Sequence, residues 1–158
     1  MGRNRTLVMT GMLAGLSVLF ALVMPRVWIG PFSATLGLHV PLFLSFALGP
    51  TSAGTVGLLS TIGFLLAGLP LVIVARAAMH GAVGLLGGWL FLRRSWSFPM
   101  TLIATAPLHG LLEAAVVIPF GFEWQTGLWL VGVGTLAHHG LDSLIALIVK
   151  KGLGRAKF

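Results

Sequence analysis

Residues 6–24 read TLVMTGMLAGLSVLFALVM, nineteen positions without a charged side chain. A helix of that length rises about 29 Å, close to the ~30 Å hydrocarbon core of a bilayer. Arg3 and Arg5 precede the run and Pro25-Arg26 closes it. A secretory signal has an apolar centre of about 7–15 residues and a small-residue cleavage site. This run is longer and Pro25-Arg26 offers no such site, so it is read as a retained first transmembrane helix.

The same texture continues outward through the chain. Of 158 residues, 57% are hydrophobic and 8% charged, with a mean hydropathy of +1.02. Soluble domains carry about 25% charged residues, and disorder needs low hydrophobicity with high charge, so both are excluded. The 22 glycines suit helices that approach closely at small residues. Six apolar helices are expected, at about 6–24, 36–48, 51–68, 71–92, 98–118 and 126–149, in one transmembrane domain spanning 1–158. The fold class is an all-α integral membrane protein. Residues 26–35, with Gly30-Pro31, are read as irregular. The 36–48 segment rises only about 20 Å, so it is either tilted and extended by the stretch before it or shielded by neighbours.

Charge sets the expected orientation. Eight of the ten Lys/Arg lie in short polar stretches: Arg3, Arg5, Arg93, Arg94, Lys150, Lys151, Arg155 and Lys157. With six spans and a cytoplasmic N-terminus all eight fall inside, against Arg26 outside, as positive-inside bias requires. The net charge of +7 is therefore topogenic, and no nucleic acid is expected as a partner because no basic face is interleaved with aromatics. The absence of cysteine excludes disulfides, thiolate metal sites and cysteine nucleophiles. No phosphate-binding GxxxxGK[ST] loop occurs, so any ATP chemistry belongs to another chain.

The residues that carry chemistry are those a bilayer penalises. Ionisable groups inside spans are expensive and usually face a bundle interior. Arg76 and His80, His109 and Glu113, and His138 and Asp142 are each spaced i, i+4, sharing a helix face, with His139 three before Asp142 and His39 at the short segment. Three polar stripes escape lipid only by converging, which predicts an outer polar pocket with a second cluster below it. Readings without a ligand stand beside this. Arg76–Glu113 is also a possible interhelical ion pair, His138 or His139 with Asp142 a hydrogen-bond lock, and His39 before Pro41 a helix cap. Trp28, Trp124 and Trp129 fit interfacial anchors. His109-x-x-x-Glu113 and His138-His139-x-x-Asp142 also offer zinc ligands, making an intramembrane metal protein or enzyme the competing class. A fixed cation beside Arg76 would meet charge repulsion, so no metal and no cofactor is expected. A purely structural membrane subunit is the third class.

Several longer stretches carry a resemblance. They are Phe32-Ser33-Ala34-Thr35-Leu36 before His39-Val40-Pro41, Thr61-x-Gly63-Phe64 through Ala67-Gly68-x-Pro70, and Val72-Ile73-Val74-x-Arg76-Ala77-x-x-His80. His109-Gly110-x-x-Glu113 before Pro119-Phe120, and Gly132-x-Gly134-Thr135 before His138-His139-x-x-Asp142, extend it. Over about residues 6–146 the chain resembles the S components of energy-coupling factor (ECF) vitamin transporters, most closely the niacin-specific members. The resemblance implies a non-enzymatic vitamin-binding subunit of a prokaryotic cytoplasmic membrane, with six helices and an outward pocket closed by loops. It implies a coupling membrane subunit and two cytoplasmic ATPases as partners, with toppling of the S component releasing substrate inside. It places the docking surface on the first helix, where Gly11 and Gly15 stand at positions usually held by alanine.

Nicotinate needs a cation for its carboxylate, a partner for its ring nitrogen and apolar walls. Arg76 is the expected clamp, its planar fork matching a carboxylate. His80 is a second donor, and His39 or His109 faces the ring nitrogen. Glu113 orients Arg76 or a histidine, Phe32, Trp28 and Trp124 cover the ring, and His138 and Asp142 complete the site. Another small heterocyclic vitamin remains the alternative substrate.

Overall fold

A computed structural model describes residues 2–154; the expected basic residues Arg155 and Lys157 lie outside the described residues. The chain runs α1 (Arg3–Val23), β1 (Arg26–Ile29), β2 (Phe32–Thr35), α2 (Val40–Ser45), α3 (Pro50–Leu66), α4 (Leu71–Ala78), α5 (His80–Gly88), α6 (Phe98–Val116) and α7 (Val133–Leu153). Single 3₁₀ turns follow α2 (Phe46–Leu48) and α6 (Ile118–Phe120), and π turns follow α5 (Trp89–Arg93) and precede α7 (Thr126–Gly132). Among the described residues, four helical runs are long and apolar enough to cross a membrane: Arg3–Val23, Leu71–Arg93, Phe98–Phe120 and Thr126–Leu153. The seventeen residues of α3 are apolar but shorter, rising about 25 Å. The protein is an all-α, multi-pass membrane protein apart from one small hairpin.

That hairpin corrects the irregular reading of residues 26–35. β1 and β2 pair antiparallel, Arg26 against Thr35 and Ile29 against Phe32. Val27, Trp28 and Ile29 favour a pleated backbone. Gly30, at φ +53°, then supplies the left-handed residue a two-residue loop requires. The Arg26 guanidinium donates to the Ala21 carbonyl, tethering the hairpin to the end of α1.

The second helix is a further correction, since α2 begins at Val40 rather than residue 36. Of the two explanations for its shortness, shielding is the one realised. Val40, Leu42, Phe43, Ser45 and Phe46 are all buried, and α2 lies among α1, α3, α5 and α7. Phe43 and Phe46 centre a core with Val56, Val83, Leu102 and Ala146. With all its sides covered by protein, α2 need not match the bilayer thickness.

The expected 71–92 helix is divided at Met79, whose N–H bonds the Arg76 carbonyl three residues back at 3.0 Å. The backbone stays right-handed there (φ −66°, ψ −21°), so Arg76 and His80 still project from one side. Opposite the break stands Gly57 of α3, where a Cβ would lie 2.5 Å from the His80 carbonyl carbon. The missing side chain lets α3 and α5 meet backbone to backbone and fixes His80 in depth. By contrast α1 buries only Thr10, Ala14, Ser17 and Ala21, and exposes Leu7, Val8, Met12, Leu19 and Leu22. In a membrane protein that is a surface for lipid or for another helix.

Candidate functional site

The three expected stripes converge. Arg76 from α4, His80 from α5, His109 and Glu113 from α6, and His138, His139 and Asp142 from α7 are all buried, joined by His39 just before α2. The i, i+4 spacing put each pair on one helix face, and burial of those faces follows from the cost of exposing charge to hydrocarbon.

Arg76 is 5% exposed and uses all five of its N–H donors on the protein. Its Nε and Nη2 donate to Glu113 Oε2 at 3.0 and 2.6 Å. Nη1 donates to the Pro31 carbonyl at 3.1 Å and to Ser33 Oγ at 3.2 Å, and Nη2 to the Ser33 carbonyl at 3.1 Å. Two donors thus hold Glu113 and three hold the hairpin. The Phe32 ring centroid lies 5.4 Å from the guanidinium carbon, adding a cation–π contact. Phe32 reaches this position by packing on Gly134, where a Cβ would come within 2.7 Å of the ring.

Glu113 divides its two oxygens. Oε2 takes Arg76 and the Thr135 hydroxyl at 2.6 Å, whereas Oε1 faces His109 Nε2 at 3.2 Å and His80 Nε2 at 3.4 Å. His80 Nε2 lies 3.1 Å from His39 Nε2, and His39 Nδ1 lies 2.9 Å from Asp142 Oδ2. Asp142 also accepts the Gly37 and His39 backbone N–H groups at 2.8 and 2.9 Å. His138 Nε2 lies 3.1 Å from Asp142 and 2.9 Å from the Thr35 carbonyl. An outer pocket with a polar cluster below it was expected; the structure joins Arg76 to Asp142 through one continuous network.

Local expectations are corrected with it. His39 precedes α2 without a side-chain capping bond, because its ring is drawn to Asp142 and His80. His139 turns to His109 (Nδ1 to Nδ1, 3.0 Å) and donates to the Leu102 carbonyl at 2.9 Å, rather than locking Asp142. Trp28 and Trp124 are 51% and 59% exposed and stand outside the cluster with Trp129, so of the three expected ring covers only Phe32 touches it. Trp28 donates its indole N–H to Gly30 in its own hairpin.

Sequence reasoning assigned no role to Thr135, Ser33 or the Pro31 carbonyl. Thr135 was findable, since it continues the His138–Asp142 stripe three residues earlier. The hairpin groups carry no periodic signal. A cavity of about 20 Å³ opens between Ser33, His39, Arg76, His80, Glu113 and His138, room for about one water.

No family model matches the chain. No solved structure matches it either. Among curated proteins it is similar to the niacin transporter NiaX of Lactococcus lactis subsp. cremoris (strain MG1363). The two are 30% identical over 168 aligned positions, covering 96% of this chain and 76% of that protein. A likeness of that extent, over a multi-pass bundle with its ionisable residues gathered inside, places the chain in the S-component family of energy-coupling factor transporters.

Proposed function

We propose that this chain is the substrate-binding S component of an ECF-type importer and that its substrate is nicotinate. The observation that carries this reading is Arg76, a buried guanidinium beside a cavity that also has apolar walls in Leu38, Phe64, Ile73 and Ala77. A flat aromatic anion needs that pairing of fork and walls. The named specificity of the relative supports the same substrate.

The room beside Arg76 is too small for an aromatic acid, so binding begins with the hairpin. Lifting β1–β2 removes the Pro31 carbonyl, Ser33 Oγ and the Ser33 carbonyl from Arg76. Three N–H donors are then released toward the space the hairpin leaves, while Nε and Nη2 keep Glu113 and hold the guanidinium in place. The vitamin carboxylate takes the freed donors and Phe32 closes over the ring. His80, His39, His109, His138 and Asp142 form the polar floor.

The chain crosses the bilayer six times with both ends cytoplasmic, as one domain of a prokaryotic cytoplasmic membrane. It performs no chemistry itself; ATP is hydrolysed by two partner ATPases and transmitted through a coupling membrane subunit, against which the S component topples. Gly11 and Gly15 of α1 are the docking surface. A Cβ at either would meet nothing within 4 Å, so the backbone there is open to a partner helix. Gly15→Leu is expected to impair copurification with the coupling subunit while leaving vitamin affinity unchanged; normal assembly would move the docking face elsewhere.

The substrate is tested by titrating nicotinate and nicotinamide into monodisperse wild type and Arg76→Ala. Wild type binds nicotinate more tightly than nicotinamide. Arg76→Ala loses about 2–5 kcal/mol toward nicotinate, roughly 30-fold or more, the usual effect of removing one partner of a buried charge pair. Nicotinamide, lacking the anion, is affected less. Unchanged nicotinate affinity in the variant would show that the carboxylate is held elsewhere.

A further inference from the structure

His39, His80, His109 and Glu113 each turn one ligand atom toward a shared interior space, the four atoms lying within 4.8 Å of one another. The pairwise contacts run His39 Nε2 to His80 Nε2, His80 Nε2 to Glu113 Oε1 and Glu113 Oε1 to His109 Nε2. We propose that this space is a divalent transition-metal site, best suited to Zn²⁺. The proposal does not depend on the identity of the vitamin.

Three of the six ligand–ligand distances match those of a coordination shell, and the other three lie within 4.8 Å. Zinc bonded at about 2.0–2.1 Å to tetrahedral N and O ligands sets neighbouring ligand atoms about 3.3 Å apart. Three edges here measure 3.1 Å (His39–His80), 3.2 Å (His109–Glu113) and 3.4 Å (His80–Glu113). The three rings stand nearly perpendicular to one another, at 88°, 87° and 77°, so they approach from different directions instead of stacking.

The protons supply an independent argument. His139 Nε2 donates to the Leu102 carbonyl, so a neutral His139 offers only a lone pair at Nδ1, and His109 Nδ1–H must donate to it. His109 Nε2 is then a lone pair aimed at the carboxylate oxygen Glu113 Oε1. His39 Nδ1–H donates to Asp142, which leaves His39 Nε2 as a lone pair aimed at His80 Nε2. A proton on His80 Nε2 can serve His39 or Glu113, not both. With neutral rings, acceptors outnumber protons at the centre; a metal ion or one further proton on His109 Nε2 resolves the mismatch, and the cobalt test below separates the two.

The outer contacts fit the same role. Metal-bound histidines usually pass their second N–H to a carboxylate or carbonyl-linked acceptor, which fixes the tautomer. His39 does so to Asp142, and His109 through His139 to Leu102. Repulsion from Arg76, which argued against a metal on sequence grounds, is answered by Glu113: the guanidinium occupies Oε2 while the site uses Oε1. The second grouping, His39, His138 and Asp142, has no such claim. Both oxygens of Asp142 already accept backbone N–H groups and His138 is drawn to the Thr35 carbonyl.

The test uses the full chain purified in detergent without a histidine tag and without added vitamin, so that failure here and failure of the nicotinate reading are separate results. Metal analysis should find about one zinc per chain. After chelator treatment, Co²⁺ alone should give the intense visible bands of four-coordinate cobalt, and Zn²⁺ should displace it. His109→Ala should abolish those bands, and Asp142→Asn should weaken Zn²⁺ binding about 10- to 100-fold, the usual effect of an outer-shell change. Should either variant fail to fold, stripped wild type decides alone. Monodisperse wild type that takes up neither ion, or holds cobalt only with the weak spectrum of the hydrated ion, overturns the proposal.

Discussion

Glu113 and Asp142 are both carboxylates buried in the same network, yet they are held in opposite ways. Asp142 accepts two main-chain N–H groups, from Gly37 and His39, and so splices α7 to the turn that leads into α2. Among the described residues, the hydrogen-bond and ion-pair partners of Glu113 are all side chains: Arg76, Thr135, His80 and His109. Side chains can rotate away and return, whereas a main-chain turn moves only if the fold does. Asp142 therefore belongs to the architecture and Glu113 to the adjustable part of the site.

The largest effect should come from removing the splice. Asp142→Ala orphans two buried N–H groups at about 1–3 kcal/mol each, an expected loss of roughly 2–6 kcal/mol. Thermal unfolding of the detergent-solubilised chain reads it, and a variant as stable as wild type would break the comparison. Glu113→Gln should act less on stability, by about 1.5–3 kcal/mol, because the amide oxygen still accepts from Arg76. Its signature is instead a larger rise in melting temperature on adding nicotinate, since a guanidinium without its counter-charge gains more from an incoming carboxylate. A smaller rise than in wild type would place Glu113 with the architecture. The finest test is Thr135→Val, which removes one of several bonds to Glu113 Oε2. It should lower stability by about 1 kcal/mol and leave the turn at 37–39 unmoved.

The polar half of this picture was legible because helices write their faces into the sequence. Arg76/His80, His109/Glu113 and His138/Asp142 were paired by spacing alone. The ordering of stripes in depth was not legible. Spacing fixes which residues share a face but not how far one helix slides along another, so the hydrogen bonds that join the outer pocket to the cluster below it could not be read. Residues 26–39 were misread for a related reason. A four-residue strand and a buried six-residue helix are too short to show a period. Trp28 and Trp124 fit either an anchor or a ring cover by composition, and only the fold turns them outward.

The full occupancy of the Arg76 donors has a consequence for time as well as affinity. A carboxylate arriving from outside finds no free N–H until the hairpin carbonyls have let go. On the proposed reading, association is gated by the molecule's own opening rate. Raising the vitamin concentration should then speed the approach to equilibrium only up to a ceiling, well short of the diffusion-limited regime. The hairpin also acts as a built-in competitor, so the apparent dissociation constant is the intrinsic one divided by the open fraction. A substitution that loosens the Pro31 and Ser33 contacts would raise the ceiling and tighten apparent binding together, whereas a change in the clamp itself would leave the ceiling where it was.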